Sequence, residues 1–181
     1  MSADPTVYEI TRQCVLDAVA WHIDRADGFG RTFVAKADMI GERAWDRCLG
    51  IEQSGHLAAM IITTTSLRKP AVANLQLLHT FSEYRGQGFG RVLCVDAVRR
   101  AHERGDQYFR VSSEPESVEF YRKCGFKFWG EQKSGCLLSV FRIGGPLITD
   151  GVYDRSDRAI NMAIRPSLKK GCVVKPFEEP K

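Results

Sequence analysis

Glu83-Tyr84-Arg85-Gly86-Gln87-Gly88-Phe89-Gly90-Arg91 is the stretch that decides how this chain is read. Before it, residues 71–80 are rich in β-formers; after it, Phe89, Val92, Leu93, Ala97, Val98 and Ala101 recur at helical spacing over 88–103. The glycine-rich segment therefore joins a strand to a long amphipathic helix. Glycine lets the backbone curl so that successive N–H groups face one hollow, and the helix N-terminus adds partial positive charge. Such a turn suits a pyrophosphate, and Arg85 and Arg91 stand where they could add charge. Two rival turns fail on spacing. The glycines fall at 86, 88 and 90, which does not meet the Gly-x-Gly-x-x-Gly dinucleotide fingerprint. A Walker loop needs a closing Gly-Lys-Ser/Thr, and none is present.

On the N-terminal side, Ile10, Cys14, Ala18 and Trp21 predict a helix over 9–27. Gly28-Phe29-Gly30-Arg31 reads as a connecting loop and 36–46 as a second short helix. The period then changes. Residues 48–53 and 57–65 read as strands bracketing Ser54-Gly55, a hairpin signal, and 58–62 is apolar enough for a strand covered on both faces. On the C-terminal side, Gly105 ends the long helix and 107–112 reads as a strand. Ser113 is the expected cap of the next helix, with Glu116 closing a capping box and Pro115 in the first turn. That helix runs through Tyr121 to Gly125, with Glu119 and Lys123 one turn apart. Strands over 127–132 and 136–142 follow, flanking Lys133-Ser134-Gly135. Residues 1–145 are expected to form one domain and 146–181 a C-terminal extension, its end tail-like, that could add a strand to a partner or close over an acceptor site.

Composition narrows the function classes. The chain has 181 residues, 44% hydrophobic and 27% charged, as in an ordinary globular domain. Its net charge of +4 is too small and too dispersed for a nucleic-acid platform. The longest apolar run, 57–62, is far too short to cross a bilayer, and no secretory signal is visible, so a cytoplasmic protein is expected. Six cysteines lack any Cys-x-x-Cys pair and read as free thiols. His22, His56 and His102 have no partner at ligand spacing, so no metal site is expected. Trp21, Trp45 and Trp129 read as core residues before they read as the lining of an acceptor pocket.

The segment 83–90 resembles motif A of the GNAT superfamily, Gln/Arg-x-x-Gly-x-Gly/Ala, with Arg85, Gly88 and Gly90 in its positions. Downstream, Phe120-Tyr121-Arg122-Lys123-Cys124-Gly125-Phe126 resembles the family's Phe-Tyr-x-Lys-x-Gly-Phe signature. The resemblance covers 48–142. It implies an α/β fold of the α+β type, with a mixed, mostly antiparallel sheet of six or seven strands splayed open near Thr80 and flanked by helices. It also implies an N-acetyltransferase that carries an acetyl group from acetyl-CoA, the acyl donor, to a primary amine by direct attack. The pyrophosphate is then expected on Arg85, Gly86, Gln87, Gly88, Phe89, Gly90 and Arg91, with backbone groups at His79, Thr80 and Phe81 on the pantetheine. Tyr121 resembles the family's general acid.

The sequence departs from that pattern at one chemical position. Where many relatives carry a glutamate on the strand as general base, this chain has Asn74, which cannot take a proton. His79, Glu83, Glu114 or a chain of waters is left to fill the role, and His79 has the suitable ordinary pKa. Ser82 replaces a common proline. The acceptor, a small-molecule or protein amine, is not encoded in any motif, and a homodimer is compatible with the chain. A non-catalytic acyl-CoA-binding module and an acyltransferase acting on nucleic acid or a modified base are the alternatives.

Overall fold

The computed structural model describes residues 5–23, 29–40, 47–65, 72–131 and 136–143. Among the described residues, seven strands and four α-helices follow one another: β1 (Val7–Glu9), α1 (Arg12–Ile23), α2 (Phe29–Ile40), β2 (Cys48–Gln53), β3 (His56–Thr65), β4 (Val72–Thr80), α3 (Phe89–Glu103), β5 (Tyr108–Ser113), α4 (Val118–Lys123), β6 (Lys127–Glu131) and β7 (Leu137–Arg142). This is the α/β class and the strand count the sequence led us to expect. The chain divides into two compact units, drawn from Met1–Thr64 with Leu75–Ala97 and from Thr65–Asn74 with Val98–Lys181.

In the first unit the strands run in the order β1-β2-β3-β4. The β2–β3 hairpin is antiparallel, and its turn places both Ser54 and Gly55 at positive φ, 55° and 78°, as a two-residue primed turn requires. The apolar run in β3 is buried throughout: Leu57 to Ile62 are all under 9% exposed. Full burial of residues such as Met60 and Ile62 stabilises the fold by roughly 1.5–3 kcal/mol each. The stripe Val15, Ala18 and Val19 on α1 and the buried Phe33, Val34 and Ala37 on α2 pack with Cys48, Leu57, Met60, Ile62 and Phe81 in one core cluster. Arg12 on α1 also pairs with Asp38 on α2, but both are about half exposed, so this pair adds little beside the apolar core.

The second unit holds the first residues of β4 and then β5-β7-β6, in that order, with β5/β7 and β6/β7 antiparallel. Phe109 and Phe126 meet edge to face at 5.8 Å, and Tyr121 meets Phe126 at 5.7 Å, forming the aromatic heart of this unit. Helix α3 ends as expected: Gly105 has φ 81°, and the Asp106 N–H bonds back to the Ala101 carbonyl at 3.0 Å.

Three local readings are corrected. A short strand, β1, precedes α1, and it is paired to β2 with Tyr8 opposite Gly50, so its existence depends on a distant partner. Residues 29–31, expected as loop, are the first turn of α2. Phe33, Val34 and Ala37 give that helix a buried face, which outweighs the glycine at its start. Ser113 is the last residue of β5 and not a helix cap. Glu114 is the cap of a 3-10 turn (Pro115–Ser117) and Ser117 that of the shorter α4 that follows, with no side-chain cap bond at either. The expectations for Asp46, Trp45, Gln132 and the extension over 146–181 lie outside the described residues.

Candidate functional site

The loop between β4 and α3 is built in three steps, all within the first unit. Phe81 turns inward, fully buried, and its N–H donates to the Ala58 carbonyl of β3 at 3.0 Å. Ser82 to Tyr84 then make a single 3-10 turn, closed by the Tyr84 N–H on the Phe81 carbonyl at 2.9 Å. Gly86 and Gly88 follow at φ 80° and 83°, a backbone region that only glycine enters at little cost. An added Cβ at either would meet nothing within 4 Å, so these glycines serve conformation and leave open space beside the chain.

The loop leaves a set of donors without partners. The N–H groups of Arg91 and Val92 are the first to bond into α3, both to the Gly88 carbonyl, at 3.0 and 3.1 Å. Those of Gly86, Gln87, Gly88, Phe89 and Gly90 meet no acceptor among the described residues. Such N–H groups on a curled loop, continuous with the positive end of a 15-residue helix, offer a hollow suited to an anion. Gln87 and Gly88 are exposed, Gly90 is partly so, and Phe89 alone is buried, its ring anchoring the helix start. Arg91 is exposed, with no carboxylate at its guanidinium among the described residues.

Arg85 also has a partner within the protein. Its Nε donates to the Thr80 carbonyl at 3.1 Å, stapling the loop back onto the end of β4. With the Phe81 N–H on Ala58, two backbone groups at the strand end are therefore already engaged.

Sequence reasoning missed His22. It is 1% exposed and lies on the α1 stripe that also carries Val15, Ala18 and Val19, so helical spacing alone could have flagged it as buried. Its ring lies parallel to Phe81, centroids 3.6 Å apart and planes at 6°. Nε2 faces the Leu57 carbonyl and Nδ1 the Glu83 carboxylate, each at 3.3 Å. Glu83, one of the candidate bases, is thus tied to a buried imidazole. Trp21 beside it is half-buried and stacks on His56 at 3.9 Å.

The remaining candidates are distributed as follows. His79 is buried on β4 with its ring edge-on to Phe81 at 4.9 Å. In the second unit Tyr121 is 7% exposed on α4, packed against Phe120 and Phe126. Glu114 is exposed and accepts from the Cys136 thiol at 3.7 Å. Asn74 is buried, and its amide oxygen accepts a short hydrogen bond from Arg110 Nε. Burial lowers the Arg110 pKa from its ordinary value. The strand position that would carry a base is therefore occupied by a neutral amide in contact with a guanidinium. Among the described residues, no three His, Cys, Asp or Glu side chains cluster at metal-binding distance, and no helix is long and apolar enough to cross a membrane.

The acetyltransferase (GNAT) domain family matches residues 24–138. No protein of curated function matches the sequence. Among solved structures, the ribosomal-protein-S18-alanine N-acetyltransferase of Escherichia coli is similar, with TM-score 0.58 at 20% identity over 82% of this chain and 99% of that one. A GNAT-family acetyltransferase from Streptococcus pneumoniae gives 0.58 at 17% identity, over 78% of this chain and 100% of that one. The PaiA N-acetyltransferase of Thermoplasma acidophilum, solved in complex with coenzyme A, gives 0.57 at 15% identity, over 78% and 99%.

Proposed function

This chain belongs to the GNAT acetyltransferase family, and from that premise we propose that it transfers an acetyl group from acetyl-CoA to a primary amine. The observation that carries the reading is the hollow at Gly86–Gly90, with five N–H groups unpaired among the described residues at the head of α3. A pyrophosphate is the ligand chemistry that suits it. Coenzyme A, present in the structure of the Thermoplasma acidophilum relative, supplies that group.

In this reading Gly86 to Gly90 and Arg91 hold the pyrophosphate, Arg85 braces the loop, and backbone groups near His79 and Thr80 hold the pantetheine. The amine lone pair attacks the acetyl carbon, forming the C–N bond, and the C–S bond breaks as the tetrahedral intermediate collapses. Tyr121 supplies the proton that the departing CoA thiolate needs, and His79 or Glu114, directly or through water, accepts the proton shed by the amine. Asn74 has no part in that proton transfer. Cytoplasmic location belongs to the same proposal.

The test is release of CoA thiol from acetyl-CoA with a panel of small amines and peptide N-termini. Tyr121→Phe should lower kcat by about 10²-fold or more if Tyr121 is the acid; unchanged turnover would refute that role. One observation favours a second reading, a non-catalytic acyl-CoA-binding module: the base position holds Asn74 bound to Arg110. Tight CoA binding with no thiol release across the whole panel would select it.

A further inference from the structure

Gly86 and Gly88 have no atoms within 4 Å of where a Cβ would stand, so the hollow receives no packing at those two points. Its shape is inherited from α3 on one side and from Phe81 to Arg85 on the other. Ties that hold that second side include the Phe81 N–H on Ala58, Arg85 Nε on Thr80, and, third, the Glu83 carboxylate on His22. The third links the middle of the 3-10 turn to α1.

A main-chain carbonyl faces His22 Nε2 and a carboxylate faces Nδ1, and both are acceptors. A neutral imidazole has one N–H and would turn a lone pair toward the other acceptor, whereas the imidazolium donates to both. The parallel Phe81 ring at 3.6 Å offers its negative face to the same cation. Glu83, 30% exposed, compensates a charge that burial would otherwise make costly. The other titratable groups around this cluster are Tyr84, edge-on at 6.4 Å, His56 across Trp21, and His79 across Phe81.

We propose that His22 is a positioning residue for the acyl donor: as an imidazolium paired with Glu83, it holds the Phe81–Glu83 segment in the orientation that presents the hollow to CoA. This rests on the acyl-donor reading above. His22 touches no reacting atom in this scheme and acts through Glu83 and Phe81.

The experiment is calorimetric titration of CoA into wild-type protein, Glu83→Gln, His22→Gln and the double variant, from about pH 5.5 to 8.5, which brackets the ordinary histidine range. Folding of each is checked by circular dichroism. Each single variant should raise the Kd for CoA and the KM for acetyl-CoA about tenfold, as a typical coupling between sites does. The change in KM should exceed any change in kcat, because the interaction lost serves donor binding. The double variant should bind no more weakly than the worse single one, since both remove one pair. Wild-type affinity should depend on pH over this interval, and Glu83→Gln should change that dependence. Titration of CoA itself is common to both proteins and cancels in their ratio.

Coincident pH profiles, or a lowered melting temperature with unchanged Kd, would overturn the proposal and leave His22 as an ordinary core residue. If His22→Gln fails to fold, Glu83→Gln, at a partly solvent-facing side chain, carries the decision. Wild-type protein that binds CoA while Glu83→Gln matches it at every pH overturns this inference alone. Absence of CoA binding by wild-type protein overturns the acyl-donor reading and this inference together.

Discussion

Replacing Gly88 by alanine separates the two things this glycine does. Its φ of 83° lies where an L-residue is strained, yet an added Cβ would meet no atom within 4 Å. The folded protein therefore loses only backbone energy, about 1–2 kcal/mol for a left-handed alanine. In a domain of this size that lowers Tm by about 2–8 °C, at roughly 2–4 °C per kcal/mol. Gly105 supplies a matched control: its φ is 81°, its Cβ position is equally open, and it closes the far end of α3. Gly88→Ala and Gly105→Ala should therefore lose similar Tm in differential scanning calorimetry. They should differ in ligand binding. In Gly88→Ala the new methyl stands in the hollow, and any relaxation to negative φ redirects the neighbouring N–H groups. We expect the Kd for CoA to rise at least tenfold, about 1.4 kcal/mol, while Gly105→Ala binds as wild type. Equal CoA affinity in the two variants would show that the ligand does not use this loop.

Other perturbations probe the scaffold. At Gly50 in β2 a Cβ would approach Ile10 Cγ2 and Leu57 Cδ1 to 2.6 Å, so Gly50→Ala should overpack the core and cost about 1–3 kcal/mol of stability in urea unfolding. Arg110→Met leaves the buried Asn74 amide oxygen without its donor, an expected cost of about 1–3 kcal/mol by chemical denaturation; Asn74→Leu in the same background should recover part of it. The Tyr8 hydroxyl is pushed up from 10.0 to about 12, chiefly by burial and then by the nearby Glu52 carboxylate. A phenol with a raised folded pKa contributes stability that is complete below pH 10 and is lost as pH climbs toward 12. Ultraviolet titration should show a late tyrosine that is missing in Tyr8→Phe, and that variant should lose less stability over the same interval.

Much of the fold was legible because its causes are local. The Ser54-Gly55 turn, the apolar run of β3, the stripe of α3 and its Gly105 stop each depend on residues a few positions apart. The glycine loop was legible for the same reason, since positive φ at 86 and 88 follows from glycine alone. The failures share an opposite cause. Strand β1 exists by pairing with β2, and the start of α2 exists by burial of Phe33 in a core assembled from several elements. Ser113 could cap a helix in isolation, but its backbone is held in register with Leu137 on β7, so the strand claims it.

The candidate site divides along the same line. Sequence by itself determined that an anion-binding turn lies between a strand and a long helix, because backbone curvature and helix polarity are properties of a short segment. Tertiary structure decided what surrounds that turn. Only folding brings His22 of α1 onto Phe81 and Glu83, turns Arg85 back to Thr80, and sets Arg110 against Asn74. Those pairings join residues from separate elements, and no local period records them, since they are selected by which donors and acceptors the packed core leaves facing one another.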